Sequence, residues 1–324
     1  MSQNNKYYLG MDIGGTKCAV VISHDDCNEI TDKIRFDTNS KRGWKAVTDE
    51  LIESAEMLIN KNGLNSNDFI SCGVSCGGPL NSKTGVIMCP PNLPDWDNVP
   101  LADIIKKRLS IPCKICNDAD ACAIAEWKFG AGKGTENMVF LTFGTGMGAG
   151  LILNGKLYSG STGTAGEAGH IRLAEDGPVG YGKKGSFEGF CSGGGIANLS
   201  EIMLNEYSGE TVLSADNLSA KAVAQAANQG DNLAIEIYRK CGTMLGRGLA
   251  VLIDILNPER IVIGSIYQRS SNLLIDSMKK AVSEEALKIS AESCEIVPAL
   301  LGDEIGDFAA IGVAKQYGEK LYGH

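Results

Sequence analysis

Two glycine-rich turns carry the residue types that hold phosphate. The first is Asp12-Ile13-Gly14-Gly15-Thr16-Lys17, between the apolar runs Tyr7–Ile13 and Cys18–Ser23. A turn of this composition aims successive backbone N–H groups at one point, and such concave arrays bind phosphate oxygens. Thr16 adds a hydroxyl and Lys17 an ammonium, while Asp12 at the strand end could hold a water on Mg²⁺. A hairpin with a merely polar turn explains this segment equally well. The second turn, Gly144-Thr145-Gly146-Met147-Gly148, favours the phosphate reading, because paired phosphate turns suit a nucleoside triphosphate. The GxxxxGK[ST] loop is absent, and so is a strand–GxGxxG–helix fingerprint, since both turns lead into strands.

Asn117-Asp118 stands where an apolar strand runs into an alanine-rich helix. Asp at such a junction is a favoured helix cap. It is also the best-placed general base, since phosphoryl transfer to an alcohol needs a carboxylate to accept the hydroxyl proton. Glu167-Ala168-Gly169-His170 and Glu188 lie in a glycine-rich region with little core signal. Carboxylates and an imidazole there suit sugar hydroxyls, which a site reads through buried hydrogen bonds; a solvated loop is the other reading.

The elements that must position these residues follow from periodicity. Strands are expected over 7–13, 18–23, 29–36, 69–74, 111–116, 137–143, 150–153 and 260–264, and helices over 45–60, 101–109, 232–256 and 302–317. Gly242, Gly246 and Gly248 inside the long helix cost helix propensity, which points to close packing against another element. The chain also repeats itself: Asp12–Ser23 and Thr142–Leu153 both read as strand end, glycine turn and apolar strand. Two such hairpins imply two α/β domains facing each other across a cleft. The expected boundaries are 1–118 plus 305–324 for a smaller N-terminal domain and 119–304 for a larger one.

Composition narrows the class. The chain has 324 residues, 44% of them hydrophobic and 21% charged, which is ordinary globular usage, and this length favours two domains. A net charge of −9 with no basic block gives nucleic acid no electrostatic footprint. No apolar run approaches the ~20 residues of a membrane span, and the N-terminus lacks a signal-peptide pattern, so a cytoplasmic location is expected. The eleven cysteines form no disulfide framework. Cys113-Lys114-Ile115-Cys116 is the only CxxC, and no second pair or nearby His completes a metal site.

Taken together these residues resemble the ROK family within the sugar kinase/actin superfamily. The likeness runs from Leu9 to about Val313, with Leu141–Gly150, Gly160, Gly166, Gly169 and His170 at the spacing of the family's glycine signature. The resemblance implies two actin-like (ribonuclease H-like) domains, Asp118 as catalytic base, and ATP phosphates on the turns carrying Asp12, Gly14–Lys17 and Gly144–Gly146. It further implies sugar contacts from Gly78, Asn92, Asn117, Glu167, His170 and Glu188, and a nucleotide contact near Gly264. ATP and Mg²⁺ are then the expected cofactors.

The chain departs from the family's pattern at two places. Where the family has three zinc-binding cysteines after its Gly-His, this sequence has Val179, Tyr181 and Ser186, with Cys191 beyond the motif. No metal site and no structural zinc are therefore expected, and packing of Tyr181 and Phe187 together with its glycine turns should order the loop from Gly177 to Gly185. The late glycine turn reads Gly264-Ser265-Ile266-Tyr267-Gln268 instead of a glycine run.

The expected activity is ATP-dependent phosphorylation of a hexose hydroxyl, glucose to glucose 6-phosphate first, by a homodimer without nucleic-acid or membrane partners. An N-acetylhexosamine kinase is the alternative within the class. A transcriptional repressor would need a DNA-binding segment before the first strand, and a silent sugar sensor would need neither Asp118 nor the phosphate turns.

Overall fold

A computed structural model describes residues 6–322. The chain forms two compact units, one running to Lys133 and resuming at Leu301, the other spanning Gly134–Leu300.

The first unit is built on β1 (Tyr7–Ile13), β2 (Lys17–His24), β3 (Asp32–Asp37), α1 (Gly43–Lys61), β4 (Phe69–Cys76), the short pair β5 (Leu80–Asn81) and β6 (Val86–Ile87), α2 (Leu101–Leu109), β7 (Cys113–Asn117) and α3 (Asp118–Phe129). Its sheet has the order β3-β2-β1-β4-β7. β1 runs antiparallel to β2 and parallel to β4, and β4 runs parallel to β7. Alternating side chains of the sheet bury Leu9, Met11, Val20, Ile22, Cys72 and Val74 in one core with α1, whose Val47, Leu51, Ile52, Ala55 and Leu58 recur at helical spacing. Each such large side chain, fully buried, contributes about 1.5–3 kcal/mol.

The second unit contains β8 (Met138–Leu141), β9 (Ala149–Leu153), β10 (Lys156–Leu157), the hairpin β11 (Val179–Gly180) and β12 (Lys183–Lys184), α4 (Phe187–Phe190), α5 (Gly193–Glu206), α6 (Ala220–Asn228), α7 (Asn232–Leu256), β13 (Arg260–Ile263), α8 (Ile266–Glu285), α9 (Lys288–Ser293) and β14 (Glu295–Pro298). Its main sheet, β10-β9-β8-β13-β14, repeats the strand order of the first, with β8 antiparallel to β9 and parallel to β13. The repeat seen in sequence is thus a repeat of topology. The glycines of α7 have the expected cause: a Cβ on Gly246 would lie 2.6 Å from the Cβ of Ala281 on α8, and one on Gly248 would lie 2.5 Å from the Phe187 ring.

α10 (Ile305–Tyr322) belongs to the first unit, where it packs on β1, β4 and α3. This moves both expected boundaries. α3 was expected to open the second domain, yet Ala121, Ala123, Ile124 and Ala125 are buried and the helix packs against α10, so the chain leaves at 133/134. It returns at 300/301, ahead of residue 305. The two units are also close to equal in length rather than small and large.

One carboxylate joins the two crossings. Glu126 is fully buried; its Oε2 accepts from the Ala131 N–H at 2.7 Å and its Oε1 from the Leu301 N–H at 2.9 Å. Charged acceptors make strong hydrogen bonds, and each orphaned donor costs about 1–3 kcal/mol where water cannot replace the acceptor. A Gln can accept from one of these N–H groups but presents its NH₂ to the other. Glu126→Gln and Glu126→Ala should both lower the melting temperature by several degrees, Ala more than Gln. A Gln variant that melts with the wild type would show that the crossings do not need this carboxylate.

Candidate active site

In the first unit the predicted residues gather at the carboxyl ends of the parallel strands, where ligands of open α/β sheets bind. The register pairs Asp12 with Ser75 across β1 and β4, and Cys76 with Asn117 across β4 and β7. The Asp12 carboxylate hydrogen-bonds Ser75. It lies so close to the start of α10 that a Cβ on Gly306 would be 2.5 Å from its Oδ2. Burial first, then the like charges of Asp307 and Asp118, push the Asp12 pKa up to about 6, while Ser75 and Arg35 oppose the shift. Asp307, itself buried, pairs with Lys33 on β3.

Asn117 caps α3 by accepting from the Ala119 N–H at 3.0 Å, and Asp118 Oδ1 accepts from the same N–H at 2.9 Å. Asp118 is reached by solvent yet crowded by protein. Burial raises its pKa, against the pull of the Ala119 and Asp118 N–H groups. Asn117 Nδ2 lies 2.9 Å from where a Cβ on Gly78 would be, and Asp118 Oδ2 lies 3.9 Å from the same point on Gly77. Asn92 stands over the first glycine turn, its Cβ 2.8 Å from a Cβ position on Gly15. The turn is closed by the Gly14 N–H donating to Lys17 O at 3.0 Å, with Gly15, Thr16 and Lys17 exposed at its tip.

The second unit repeats the arrangement. Gly264 follows β13 and donates its N–H to Leu141 O at 2.9 Å, which sets it beside the turn after β8. In that turn the Gly144 N–H donates to Gly146 O at 2.9 Å, and Thr145 is exposed. Glu188, in the first turn of α4, reaches the same place: its Oε2 accepts from the Met147 N–H at 2.9 Å. A Cβ on Gly146 would come within 2.8 Å of that oxygen. Glu167 and His170 are exposed at the two ends of a short turn whose Ala168 and Gly169 are buried. That turn is tied to the second glycine turn, because a Cβ on Gly169 would meet Met147 O and Glu188 Cβ.

The residues at the three cysteine places do not fit a zinc tetrahedron. Val179 has no ligating atom. Ser186 is fully buried with its hydroxyl used, accepting from the Gly189 N–H at 3.1 Å and donating to Gly180 O at 3.3 Å. Tyr181 was expected to pack inside the loop but is 71% exposed; its ring meets His170 edge-on, with centroids 5.1 Å apart. The loop is a β-hairpin whose glycine turn orders it as expected, with Tyr181 (φ 46°) and Gly182 (φ 75°) in the left-handed region that a tight two-residue hairpin turn demands. Phe187 is fully buried, as expected. Cys191 is buried too, and its thiol points to Cys241 O. Cys113 and Cys116 lie in β7, both buried.

Sequence reading missed the residues that support the site. Thr38, fully buried, donates to Gly14 O at 2.6 Å and meets the Cys18 thiol at 3.3 Å. Ser75, Asp307 and Lys33 shape the surroundings of Asp12, and Ser265 lies against Gly144. None belongs to a recognisable motif; Ser265 alone left a trace, as the break in an expected glycine run.

Two units of one strand order, each with a glycine turn between its antiparallel strands, define the two-domain actin-like sugar kinase fold. The ROK family profile matches residues 8–317, and the chain belongs to the ROK family. It is 31% identical to a glucokinase of Halalkalibacterium halodurans over 97% of this chain and 96% of that one. The crystal structure of a ROK family glucokinase from Streptomyces griseus, in complex with glucose and AMPPNP, is 28% identical with a TM-score of 0.75, covering 96% of this chain and 99% of that one. A ROK family transcriptional regulator, a homologue of the E. coli MLC protein, shares the fold at a TM-score of 0.85 and 24% identity, over 97% of this chain and 78% of that one.

Two outcomes follow from this geometry. Folding raises the Asp12 pKa from 3.8 to about 6, so the native state prefers the protonated acid. The penalty is absent below pH ~4, grows as pH rises through 6, and is then on the order of 2–3 kcal/mol. Asp12→Asn should therefore melt above the wild type at pH 8, the difference closing by pH 4; equal melting curves at pH 8 would refute the assignment. Purified protein never exposed to chelator should also carry no stoichiometric zinc by elemental analysis. One tightly held zinc per chain would overturn the hairpin account of the loop.

Proposed function

We propose that this ROK protein transfers the γ-phosphoryl group of ATP to a hexose hydroxyl, with glucose giving glucose 6-phosphate. The observation that carries the reading is Asp118: a solvent-reached carboxylate with a raised pKa, at the carboxyl end of β7, beside Gly77, Gly78 and Asn117. Likeness to glucokinases over nearly the whole chain supports it.

In this reading Asp118 takes the proton of the sugar hydroxyl as the oxygen attacks the γ-phosphorus, and the bond to the β-phosphate oxygen breaks to release ADP. The glycine turns with Thr16, Lys17 and Thr145 hold the phosphates, with Gly264 close to the second turn. Asn92, Asn117, Gly78, Glu167, His170 and Glu188 orient the sugar. Mg²⁺, when bound with the nucleotide, spreads the phosphate charge. Asp12 fits that ion, since its carboxylate is crowded by two other carboxylates and anionic at neutral pH. No helix among the described residues is long and apolar enough to cross a membrane. The reading makes the protein a cytoplasmic enzyme without nucleic-acid or membrane partners, and a homodimer, the commonest closed assembly.

Coupled ADP release should be fastest with glucose in a panel that includes mannose, N-acetylglucosamine and N-acetylmannosamine. Preference for an N-acetylated sugar would move the substrate within the class, and no turnover with any of them would sink the reading. Asp118→Asn keeps the hydrogen bond to Ala119 but cannot take the proton, so kcat should fall about 10²–10⁴-fold. In the wild type the acid limb of kcat/KM should lie above the ordinary aspartate range, with activity gained as pH rises through the raised pKa. An Asn variant of near wild-type rate would remove Asp118 as the base.

A further inference from the structure

Ser265 holds a backbone conformation that side chains rarely adopt, with φ 52° and ψ −107°. It follows Gly264 and precedes α8, and its neighbours stitch this turn to the end of β8. The Gly264 N–H donates to Leu141 O at 2.9 Å, and the Ile266 N–H to Phe143 O at 3.0 Å. Those bonds demand the conformation but not the serine; a glycine would make them with less strain. Strain kept at one position is a reason to ask what the side chain does there.

The usual task of a serine before a helix is to cap it. Ser186, Ser192, Ser219 and Asp231 do so for α4, α5, α6 and α7, each accepting from an N–H of the first turn. Ser265 makes no such bond to α8. Its hydroxyl is turned to the second glycine turn, where Oγ lies 3.5 Å and Cβ 3.9 Å from the Cβ position of Gly144. These are ordinary contact distances, so the hydroxyl lies directly against the turn at Gly144.

We propose that Ser265 is a nucleotide ligand of this chain, its hydroxyl donating to a phosphate oxygen held at the Gly144–Gly146 turn. The proposal rests on the kinase reading above and adds a side-chain donor to the backbone groups of that turn. A neutral hydroxyl suits the position because the carboxylate of Glu188 already occupies the far side of the turn, at Met147. One more donor offsets that nearby negative charge toward an incoming phosphate.

The test uses two variants of the full chain and titration calorimetry with ADP and with adenosine, Mg²⁺ present. Ser265→Ala removes the hydroxyl and keeps the strain; Ser265→Gly removes the hydroxyl and relieves the strain. Both should bind ADP about tenfold or more weakly, the scale of a hydrogen bond to a charged group, with adenosine affinity unchanged. Without ligand, Ser265→Gly should melt about 2–4 °C or more above the wild type. A glycine variant that holds ADP as tightly as the wild type overturns the proposal. Equal losses for ADP and adenosine overturn it too, since they would reflect a distorted turn. Wild-type protein that binds no ADP overturns the kinase reading along with it, whereas wild-type binding with an unaffected glycine variant sinks this proposal alone.

Discussion

The carboxylate of Glu126 binds two backbone N–H groups, at Ala131 and Leu301, separated by the whole of the second unit. Much of the first unit follows from that constraint. It fixes where the chain leaves α3 and where it returns, four residues before α10 begins at Ile305. The start of α10 brings Gly306 against the Asp12 carboxylate and Asp307 into its field. Lys33 on β3 pairs with Asp307 and so tempers one of the two like charges that disfavour the ionised form of Asp12. The start of α10, reached through the Leu301 bond and held by packing on β1, β4 and α3, thus brings its charge to the site. The closure entropy of so long an intervening segment grows only logarithmically with its length, so few anchoring hydrogen bonds are needed to keep the unit whole.

How much of this was legible depends on how locally each feature is determined. The glycine turns, Asp118 at its strand–helix junction and the repeated hairpin all rest on short-range geometry, and the sequence shows them. The strands were read within a few residues, although β3 begins at Asp32 rather than at residue 29. The domain boundary was misplaced because membership of α3 is decided by α10, nearly two hundred residues away. Lys33 and Asp307, Thr38 and Gly14, and Glu126 and Leu301 belong to the same class of long-range contact. α8 was passed over although Leu274, Met278, Ala281 and Val282 mark its buried face. Ser265 hides for another reason: nothing in a serine announces a positive φ.

Where the family's pattern places cysteines, local hydrogen bonding does the ordering. Tyr181-Gly182 makes the tight turn between β11 and β12, and Ser186 uses its hydroxyl twice, toward Gly180 O and the Gly189 N–H. That second bond caps α4, the helix whose first turn carries Glu188. A hydroxyl at a cysteine place therefore fixes the helix turn that carries Glu188. Hairpin and cap are both made by hydrogen bonds within the loop.

Glu188 shows why the sugar and phosphate roles proposed for these loops resist a clean division. It was read as a sugar ligand, and its place beside Gly169 and the Glu167–His170 turn suits that role. Yet one of its oxygens accepts from Met147, within the second glycine turn, and Gly146 must lack a side chain to admit it. A carboxylate held there pins the turn at Met147 and sets an acceptor oxygen close beside Gly146. Any ligand that draws on the free oxygen of Glu188 also pulls on the bond to Met147. In the proposed kinase, sugar held by Glu188 and the shape of the second glycine turn are linked through this single side chain, and such a linkage acts in both directions.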